Sequence, residues 1–280
     1  MTQSEKANSL LALHRNGRLL ILPNVWNPFG ARMLEAKGFP AVATASAAIS
    51  ESLGYHDGEQ IKLDTMLDAV GRIVRSVNVP VTADFEAGYS DSIEGLQENI
   101  SRLLDTGAVG INFEDSYDDE KYLRPVPEQV ERIKAIREVA ERRGVHLVIN
   151  ARADSFLAEG FSSEEERIED AVTRALAYIE AGADCIYPVG RGDKETLKTL
   201  RRRIPAPINV IASPKTISLK ELQALGINRV SFGPFIFRSM AAKLSAMYDE
   251  IKAMGEYGIV MDGMMPGSEL GRYLMEGKEN

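Results

Sequence analysis

The amino-acid sequence predicts an α/β fold of the (β/α)8 TIM-barrel class, in which eight strands alternate with helices. The first observation is a repeated unit: a short apolar run rich in β-branched residues, then a turn, then a segment with helical spacing of apolar residues. The second is that most of the residues along these runs are apolar and continuous, as expected of parallel strands that are buried on both faces. The third is the length of 280 residues, which suits one barrel of this class.

Eight apolar runs are the candidate strands of this barrel, and no linker separates the units that contain them. The runs lie at residues 19–23, 41–46, 79–84, 109–114, 146–152, 184–189, 208–212 and 229–232. Eight units of this kind within about 230 residues fit a closed barrel better than an open doubly wound sheet, which is the alternative. We therefore expect residues 1–280 to form one domain.

The segments between the runs have the spacing of amphipathic helices, most clearly at residues 93–106, 128–143 and 164–181. Glycine precedes several of the runs, which is the usual position of the residue that ends a helix. These glycines are Gly38, Gly107, Gly144, Gly182 and Gly226. After the eighth run, residues 234–254 are predicted to be helical and residues 268–276 to form a last short helix. Because this extension is longer than one barrel unit requires, we expect it to pack elsewhere, for instance on a partner subunit.

The charge and cysteine content exclude several kinds of partner. Acidic residues outnumber basic ones by 41 to 33, which gives a net charge of -8 and argues against a nucleic-acid partner, since phosphate binding needs a basic face. Cys185 is the one cysteine, so no disulfide can form within the chain and a reducing compartment is expected. Residues 1–8 lack the apolar core of a signal peptide, and no apolar run approaches the ~20 residues that span a bilayer. We therefore expect a cytoplasmic protein without a membrane partner.

Polar side chains follow four of the candidate strands at the point where each strand ends. They are Ser46 at the end of the second run, Asp84 and Glu86 after the third, Glu114 after the fourth and Arg152 after the fifth. In a barrel of this class the active site lies where the strands end and the βα loops begin. Asp57 stands in the loop after the second run. We therefore expect carboxylates from three separate elements to meet at one mouth.

Carboxylates that crowd together repel one another, and a divalent cation relieves that repulsion. Oxygen ligands in a site that is open to water suit magnesium (Mg²⁺) and also manganese (Mn²⁺). Since Mg²⁺ keeps several of its waters, we expect Asp84 to contact the metal directly and the other carboxylates to act mostly through water. Each acidic residue taken alone could instead be a solvated loop residue or a helix cap. Arg152 could likewise form an ion pair with Asp154 or Glu114.

Other residues near these loops are expected to be structural. Asp91 and Asp118 are interpreted as helix caps or solvated turn residues, and His56 as a loop side chain. Cys185 is interpreted as a buried strand residue. Two aromatic residues could line the mouth, although packing explains them equally well: Trp26 and Phe29.

Five short segments occur in a fixed order along roughly residues 10–240, and together they carry a family resemblance. They are LGYHD at 53–57, DFEAGY at 84–89, GINFED at 110–115, AR at 151–152 and GAD at 182–184. The second resembles the D-x-D-x-G-[YF] metal motif of the phosphoenolpyruvate mutase/isocitrate lyase superfamily, and the others resemble motifs of the same superfamily. Each segment alone is weak, whereas five in register are specific.

The resemblance implies a (β/α)8 barrel with a Mg²⁺ site and an α-oxocarboxylate substrate, or its enolate, held on the metal. The implied metal ligands are Asp84, Glu86 and Glu114, with Asp57 nearby. Ser46 and the backbone amides of Ser46 and Ala47 would bind a substrate oxygen, and Arg152 would bind the anionic end. The implied catalytic residues are therefore Arg152, Ser46 and Asp57. Family members exchange their last helix between subunits, which implies a homodimer or homotetramer.

Departures from the family pattern bear on the reaction. Residues 116–123 (SYDDEKYL) lack the cysteine and histidine of the lyase K-[KR]-C-G-H loop, which disfavours ordinary isocitrate or methylisocitrate lyase. The same segment lacks the asparagine of the mutase loop, and Val189 stands where mutases have a histidine. Glu86 replaces the second aspartate of the metal motif. Residues 116–123 are expected to gate the site and to set specificity.

These observations lead to three functional hypotheses. The leading one is a carbon–carbon lyase or decarboxylase that acts on a small 2-oxo or 2-hydroxy acid through an enolate. The second is P–C bond chemistry, either as a phosphoenolpyruvate mutase or as a phosphonopyruvate hydrolase. The third is a barrel that binds a Mg²⁺–oxoacid complex without turning it over. Several tyrosines could relay protons, and the sequence does not choose among them: Tyr55, Tyr89, Tyr117 and Tyr122.

Overall fold

Every apolar run of the sequence coincides with a strand. The computed structural model describes residues 1–117, 121–255 and 257–274. Its strands are β1 (Leu20–Leu22), β2 (Asn24–Val25), β3 (Val42–Thr44), β4 (Val81–Asp84), β5 (Gly110–Phe113), β6 (Val148–Ala153), β7 (Cys185–Pro188), β8 (Asn209–Ile211) and β9 (Arg229–Ser231). All the ladders between these strands are parallel, as the prediction of alternating strands and helices requires.

The first run forms β1, and a second short strand, β2, follows it after Pro23 and pairs with a different neighbour. β1 pairs with β9, whereas β2 pairs with β3. The strand order is β2-β3-β4-β5-β6-β7 on one side and β1-β9-β8 on the other, and a parallel bridge between Ile186 and Ile208 links β7 to β8. The predicted strand at 19–23 is therefore present as β1, whereas β2 lies outside the predicted runs. Pro23 lies between the two strands, and since proline has no N–H to donate, the ladder changes partner there.

Helices surround the strands in the predicted alternation. They are α1 (Gln3–Arg15), α2 (Pro28–Ala36), α3 (Ser46–Ser52), α4 (Leu63–Arg75), α5 (Ile93–Asp105), α6 (Val126–Arg142), α7 (Glu164–Glu180), α8 (Lys194–Arg203), α9 (Leu219–Ala224), α10 (Phe235–Lys252), α11 (Gly258–Met261) and α12 (Gly267–Leu270). The predicted helices at 93–106, 128–143 and 164–181 agree with α5, α6 and α7 apart from a residue or two at their ends. The five glycines predicted to end helices all have positive φ, which confirms that prediction.

Helix α5 illustrates how the outer layer packs on the barrel. The hydroxyl of Ser92 accepts a hydrogen bond from the backbone N of Gly95 and so caps the helix. Asp91 is therefore not the cap; its exposed carboxylate pairs with Arg124 instead. One face of the helix is buried through Leu96, Ile100, Leu103 and Leu104. Burying each of these side chains stabilises the fold by about 1.5–3 kcal/mol.

Helix α1 packs against the end of the barrel at which the strands begin. The side chain of Gln3 donates hydrogen bonds to the carbonyls of Leu104 and Ala108, which precede β5. Leu10 is fully buried against Gly110, the first residue of β5, where an added Cβ would lie 2.8 Å from Leu10 Cδ2. Because this end is covered, substrate access must come from the opposite end, where the strands finish.

The C-terminal extension begins with α10, and no residue of this helix is buried. Residues 267–274 then return to the barrel, where Tyr273 packs edge-on against Phe29 and its carbonyl accepts a hydrogen bond from Arg32. The predicted last helix at 268–276 is wrong in extent, since α12 is followed by a 3-10 turn (Gly271–Tyr273) and residues 275 and 276 lie outside the described residues. Within the described ranges, none of the helices combines the length and apolar character that crossing a membrane requires.

Candidate active site

Asp84, the last residue of β4, lies against the first turn of α3. Its Oδ2 atom accepts hydrogen bonds from the backbone N and from the hydroxyl of Ser46, both at 3.0 Å. Its own backbone N donates to the hydroxyl of Thr44 at 2.9 Å. β3 and β4 are parallel neighbours, so the end of one strand meets the helix that follows the other. Two of the predicted site residues are therefore in direct contact, and Ala47 is buried beside Ser46.

Asn112 on β5 holds the second carboxylate oxygen of Asp84. Its side-chain Nδ2 donates to Asp84 Oδ1 at 3.1 Å. Its Oδ1 accepts from Asn150 Nδ2 at 2.7 Å and from Arg229 Nη2 at 3.0 Å. Since two donors face the oxygen of Asn112, its nitrogen must point at Asp84. Arg229 is buried inside the barrel, and its Nε and Nη1 atoms have no hydrogen-bond partner among the described residues.

The loop after β4 carries Glu86 and Tyr89 in the left-handed backbone region, with φ of 49° and 58°. Gly88 between them has φ of 92°, and an added Cβ there would lie 2.5 Å from Leu96 Cδ1, so glycine is required. The hydroxyl of Tyr89 donates to Glu86 Oε1 at 2.9 Å. The other oxygen, Oε2, accepts from the backbone N of Glu59 at 2.6 Å. Glu86 is thus buried and tied to the loop between α3 and α4.

Arg132 of the outer helix α6 supports the same loop. Its guanidinium donates to the carbonyls of Ala87 at 2.6 Å, Ser90 at 2.9 Å and Asp91 at 3.2 Å. The side chain is fully buried and also lies over the ring of Phe113. Burial lowers the pKa of Arg132 to about 10, which leaves it charged at neutral pH. Three carbonyl acceptors on one arginine fix the path of this loop.

Burial raises the pKa values of three acidic residues at the mouth, and the charges of neighbouring carboxylates add to each shift. Burial, followed by the charge of Asp57, raises the pKa of Glu86 to about 8. Asp57 stands on an exposed loop, yet partial burial of its carboxylate and the charge of Asp84 raise its pKa to about 6. A hydrogen bond from Ser46 acts in the opposite direction and lowers the pKa. Burial also raises the pKa of Glu114 well above its usual range, although Arg152 opposes this. A cation bound at the mouth would oppose these shifts by favouring the ionised carboxylates.

Arg152 on β6 joins two carboxylates at this mouth. Its Nη1 donates to Glu114 Oε1 and its Nε to Asp154 Oδ1, both at 2.5 Å. Asp154 is fully buried, and its other oxygen accepts from the hydroxyl of Ser116 at 2.6 Å. Both ion pairs that the sequence left open for Arg152 are therefore present. The arginine nevertheless stays at the carboxyl end of the barrel, 12% exposed at its side chain.

The predicted Mg²⁺ ligands are close to one another but do not form a cage. Among the described residues, no group of three or more His, Cys, Asp or Glu side chains is arranged to hold a metal ion. Each candidate has another partner: Ser46 for Asp84, Tyr89 and Glu59 for Glu86, and Arg152 for Glu114. The donor set nevertheless fits Mg²⁺, which binds through one or two carboxylates and keeps several waters. The raised pKa values of Glu86 and Glu114 point the same way, since a cation would favour their ionised forms.

The remaining sequence predictions have separate outcomes. His56 is an exposed loop residue and Cys185 is fully buried, as predicted. Trp26 packs edge-on against Phe237, with ring centroids 5.2 Å apart, so the packing interpretation holds for it as it does for Phe29. Asp118 lies outside the described residues. The described parts of the loop at 116–123 meet through an antiparallel bridge between its two ends, and its role as a gate stays a prediction.

Four residues of the site region were not singled out from the sequence: Glu59, Asn112, Arg132 and Arg229. Two of them left a signal. Arg229 is a charged residue at the start of one predicted strand, and Asn112 interrupts the apolar residues of another. Buried polar residues at such positions need a hydrogen-bond partner, so each of them indicates a neighbour with complementary groups. Glu59 and Arg132 had no such signal, since acidic loops and basic helix faces are common on protein surfaces.

The fold and the mouth together define a (β/α)8 barrel with an acidic site at the carboxyl ends of its strands. The sequence profile of the phosphoenolpyruvate phosphomutase family matches residues 10–252. The chain belongs to this family, within the phosphoenolpyruvate mutase/isocitrate lyase superfamily, as the five short segments predicted.

Individual relatives cover most of the chain. A 2-methylisocitrate lyase of Aeropyrum pernix is 31% identical over 261 residues, which span 90% of this chain and 81% of the relative. A crystal structure of a Burkholderia cenocepacia protein, provisionally named a phosphonomutase, is 35% identical with a TM-score of 0.84 and covers 89% of this chain and 99% of that one. A phosphonopyruvate hydrolase solved with oxalate and Mg²⁺ shares the fold, at 23% identity and a TM-score of 0.83 over 98% of this chain and 95% of that one.

Proposed function

We propose that the protein is a Mg²⁺-dependent carbon–carbon lyase that acts on a small 2-oxo or 2-hydroxy acid. The contact between Asp84 and Ser46 carries this proposal, because it places a carboxylate and two hydrogen-bond donors at one point of the mouth. Carboxylates alone would repel an anionic substrate, and donors alone would not attract a cation. A site with both suits an oxoacid that binds together with a divalent metal.

The proposed roles follow from the present partners of each side chain. Asp84 would hold Mg²⁺ directly, whereas Asp57, Glu86 and Glu114 would hold it mostly through water. When bound, the cation would supply positive charge to the substrate oxygen on which negative charge develops. Once Asp84 no longer accepts from Ser46, the backbone N and the hydroxyl of Ser46 become donors for that substrate oxygen. The backbone amide of Ala47, one residue further along α3, is proposed to assist.

Arg152 is proposed to bind the carboxylate of the substrate. A guanidinium offers five N–H donors in a planar fork, which matches the two oxygens of a carboxylate better than an ammonium group does. Glu114 and Asp154 fix its orientation in the barrel wall. Asp57 is the third catalytic candidate. Its pKa of about 6 would allow it to accept or release a proton near neutral pH.

A second function is supported by the comparisons, namely P–C bond chemistry. The matching family is described as phosphoenolpyruvate phosphomutase, and the Burkholderia cenocepacia relative has a phosphonomutase name. The same groups would serve, since phosphonopyruvate is also an α-oxocarboxylate. The loop at 116–123 lacks the asparagine of the mutases as well as the cysteine and histidine of the lyases, so turnover of the substrate panel decides between the two functions.

The enzyme is further proposed to be a cytoplasmic homodimer or homotetramer without a nucleic-acid partner. Helix α10 supports the oligomer, because it exposes a row of apolar side chains along one face. This row, which we call the α10 stripe, consists of Met240, Leu244, Tyr248 and Ile251. Each of these side chains is about half exposed or more. A second copy of the chain would cover the stripe.

The test is turnover of a substrate panel, followed by proton and phosphorus NMR. The panel contains oxaloacetate, isocitrate, 2-methylisocitrate, 2,3-dimethylmalate, citramalate and phosphonopyruvate, each with Mg²⁺ and with EDTA. Because Mg²⁺ alone decarboxylates oxaloacetate, the Asp84→Ala variant at the same metal concentration is the reference. Metal-dependent cleavage of a carbon–carbon bond above that reference supports the lyase. Conversion of phosphonopyruvate alone replaces it with the second function. No turnover, together with tight oxalate binding, leaves a barrel that binds without catalysis.

A further inference from the structure

Three residues with strained backbones meet beside the proposed metal site. In the described part of the chain, the non-glycine residues with positive φ are Glu59, Glu86, Tyr89 and Met254. The first three belong to two different loops and yet are hydrogen-bonded to one another. Each such conformation costs on the order of 1–3 kcal/mol and persists only where the surrounding contacts impose it. The contacts among these three residues are therefore part of what holds the loops in place.

The contacts form a closed ring, which we call the loop ring. The backbone N of Glu59 donates to Glu86 Oε2 at 2.6 Å, and the hydroxyl of Tyr89 donates to Glu86 Oε1 at 2.9 Å. The backbone N of Tyr89 donates to Glu59 Oε1 at 2.8 Å and completes the ring. Glu59 comes from the loop between α3 and α4, whereas Glu86 and Tyr89 come from the loop after β4.

The two loops differ in exposure, and the ring joins them. The loop after β4 is held by Arg132 of α6, whose guanidinium donates to three carbonyls of that loop. Asp57, two residues before Glu59, lies on the other loop, where residues 52–57 are exposed. The contacts of Glu59 therefore tie an exposed segment to an anchored one. Loss of the Glu59 carboxylate would leave the backbone N of Tyr89 without this acceptor and would loosen the segment that presents Asp57.

We propose that Glu59 is a positioning residue for this site: it fixes the loop of Asp57 against the loop that begins at Asp84. The proposal rests on the proposed function only in taking these two carboxylates as the reactive and metal-binding groups. Both oxygens of Glu86 accept hydrogen bonds within the ring, so Glu86 links the two loops and would hold the cation through water. Outer partners of metal ligands commonly change metal affinity by 10–100-fold.

The test compares four variants of the full chain. Glu59→Ala removes the acceptor for the Tyr89 amide, Glu59→Gln retains an oxygen at the same reach, and Tyr89→Phe opens the ring at another bond. Gln60→Ala is the matched control, because Gln60 is an exposed neighbour whose side chain donates to the carbonyl of Gly58 in its own loop. The readouts are amide hydrogen exchange of the metal-free protein and the Kd for Mg²⁺ from calorimetry. Neither readout requires turnover.

We expect Glu59→Ala to speed amide exchange of Tyr89 and of residues 54–60 by roughly 10-fold, since one hydrogen bond contributes about that factor. It should weaken Mg²⁺ binding by about 10–100-fold. Tyr89→Phe should act in the same direction, Glu59→Gln should restore most of both effects, and Gln60→Ala should resemble the wild type.

Two results would overturn the proposal. One is unchanged exchange and Mg²⁺ affinity in Glu59→Ala. The other is faster exchange spread evenly over α6 and β5, because that would mean a general loss of stability. If the exchange and Mg²⁺ effects occur as expected but the wild type turns over no substrate of the panel, the positioning role stands and the proposed function fails.

Discussion

The amide of Asn112 donates a hydrogen bond to Asp84 over 3.1 Å, while the buried Arg229 donates to the oxygen of the same amide over 3.0 Å. A cation inside the barrel is thereby connected to the carboxylate proposed to hold the metal, with no ion pair between the two. Arg229 lies at the start of β9 and Asp84 at the end of β4, so the connection runs along the barrel interior. Partners of this kind orient a metal ligand without touching the metal.

Asn112→Leu is expected to destabilise the protein. The substitution keeps the approximate volume but leaves Arg229 and Asn150 without an acceptor inside the barrel. Each unsatisfied buried donor costs about 1–3 kcal/mol, so the free energy of unfolding in urea should fall by roughly 2–5 kcal/mol. The matched control is Thr82→Val on the neighbouring strand. The hydroxyl of Thr82 has no hydrogen-bond partner in the described residues, so this change should be nearly neutral. Equal losses in both variants would contradict the prediction.

Arg152→Met is expected to reduce stability by about 3–5 kcal/mol, in addition to any loss of activity. The reason is that Glu114 and Asp154 would remain as buried carboxylates without their cation. Denaturant unfolding at neutral pH measures the effect. Arg203→Met is the control, because Arg203 pairs with Glu169 at the surface and such pairs contribute about 0–1 kcal/mol.

Arg152→Lys separates the charge of Arg152 from its shape. Lysine retains the cation but cannot offer two parallel donors, so we expect most of the stability to return. If Arg152 binds the substrate carboxylate, kcat/KM should stay low in this variant. Recovery of both stability and kcat/KM would contradict a role in bidentate recognition.

The stability of the metal-free protein should fall as pH rises from 6.5 to 8. Glu86 has a pKa of about 8 in the folded protein against an ordinary 4.5, so the folded state holds a proton that the unfolded state has lost in this interval. Stability therefore decreases with pH until the folded pKa is passed. His14, whose pKa is lowered to about 4, acts in the opposite direction, but only below 6.5.

Urea unfolding in EDTA at several pH values between 6.5 and 8 measures this slope. Glu86→Gln removes one titrating group and should reduce the slope, while Glu114, whose pKa is also raised, contributes the remainder. Mg²⁺ should also reduce the slope, because a bound cation favours the ionised carboxylates and binds more tightly as pH rises. A wild-type slope that is unchanged in Glu86→Gln would mean that another group is responsible.

Much of the barrel could be predicted from sequence because its strands and helices have strong local patterns. The exception is β2, which the sequence did not predict. Pro23 before it was visible in the sequence, but the change of pairing partner after this proline depends on how the two ends of the sheet meet. The predicted extent of the last helix was wrong for a related reason. Residues 267–274 are fixed by contacts of Tyr273 with Phe29 and Arg32, which lie far away in sequence.

The site was predictable only in part. Residues at strand ends share one edge of a parallel barrel, so the proximity of Ser46 and Asp84 follows from their positions. The partners that each side chain adopts do not follow. Glu59 reaches Glu86 and Tyr89 because three residues take left-handed backbones, and no local pattern predicts that for non-glycine residues. The buried connection from Arg229 through Asn112 likewise depends on packing across the barrel.

The purified protein is expected to be a dimer or tetramer held together through the α10 stripe. The stripe residues recur every three or four positions and therefore lie on one face of the helix. Leu244→Glu combined with Tyr248→Glu should place two charges in the subunit interface. If each costs about 2 kcal/mol or more, the dissociation constant rises by several hundred-fold or more. Lys243→Glu, an exposed position beside Leu244, is the matched control and should leave the assembly intact. Sedimentation velocity over a range of concentrations measures the outcome, and a wild type that stays monomeric at every concentration would exclude the stripe as a subunit interface.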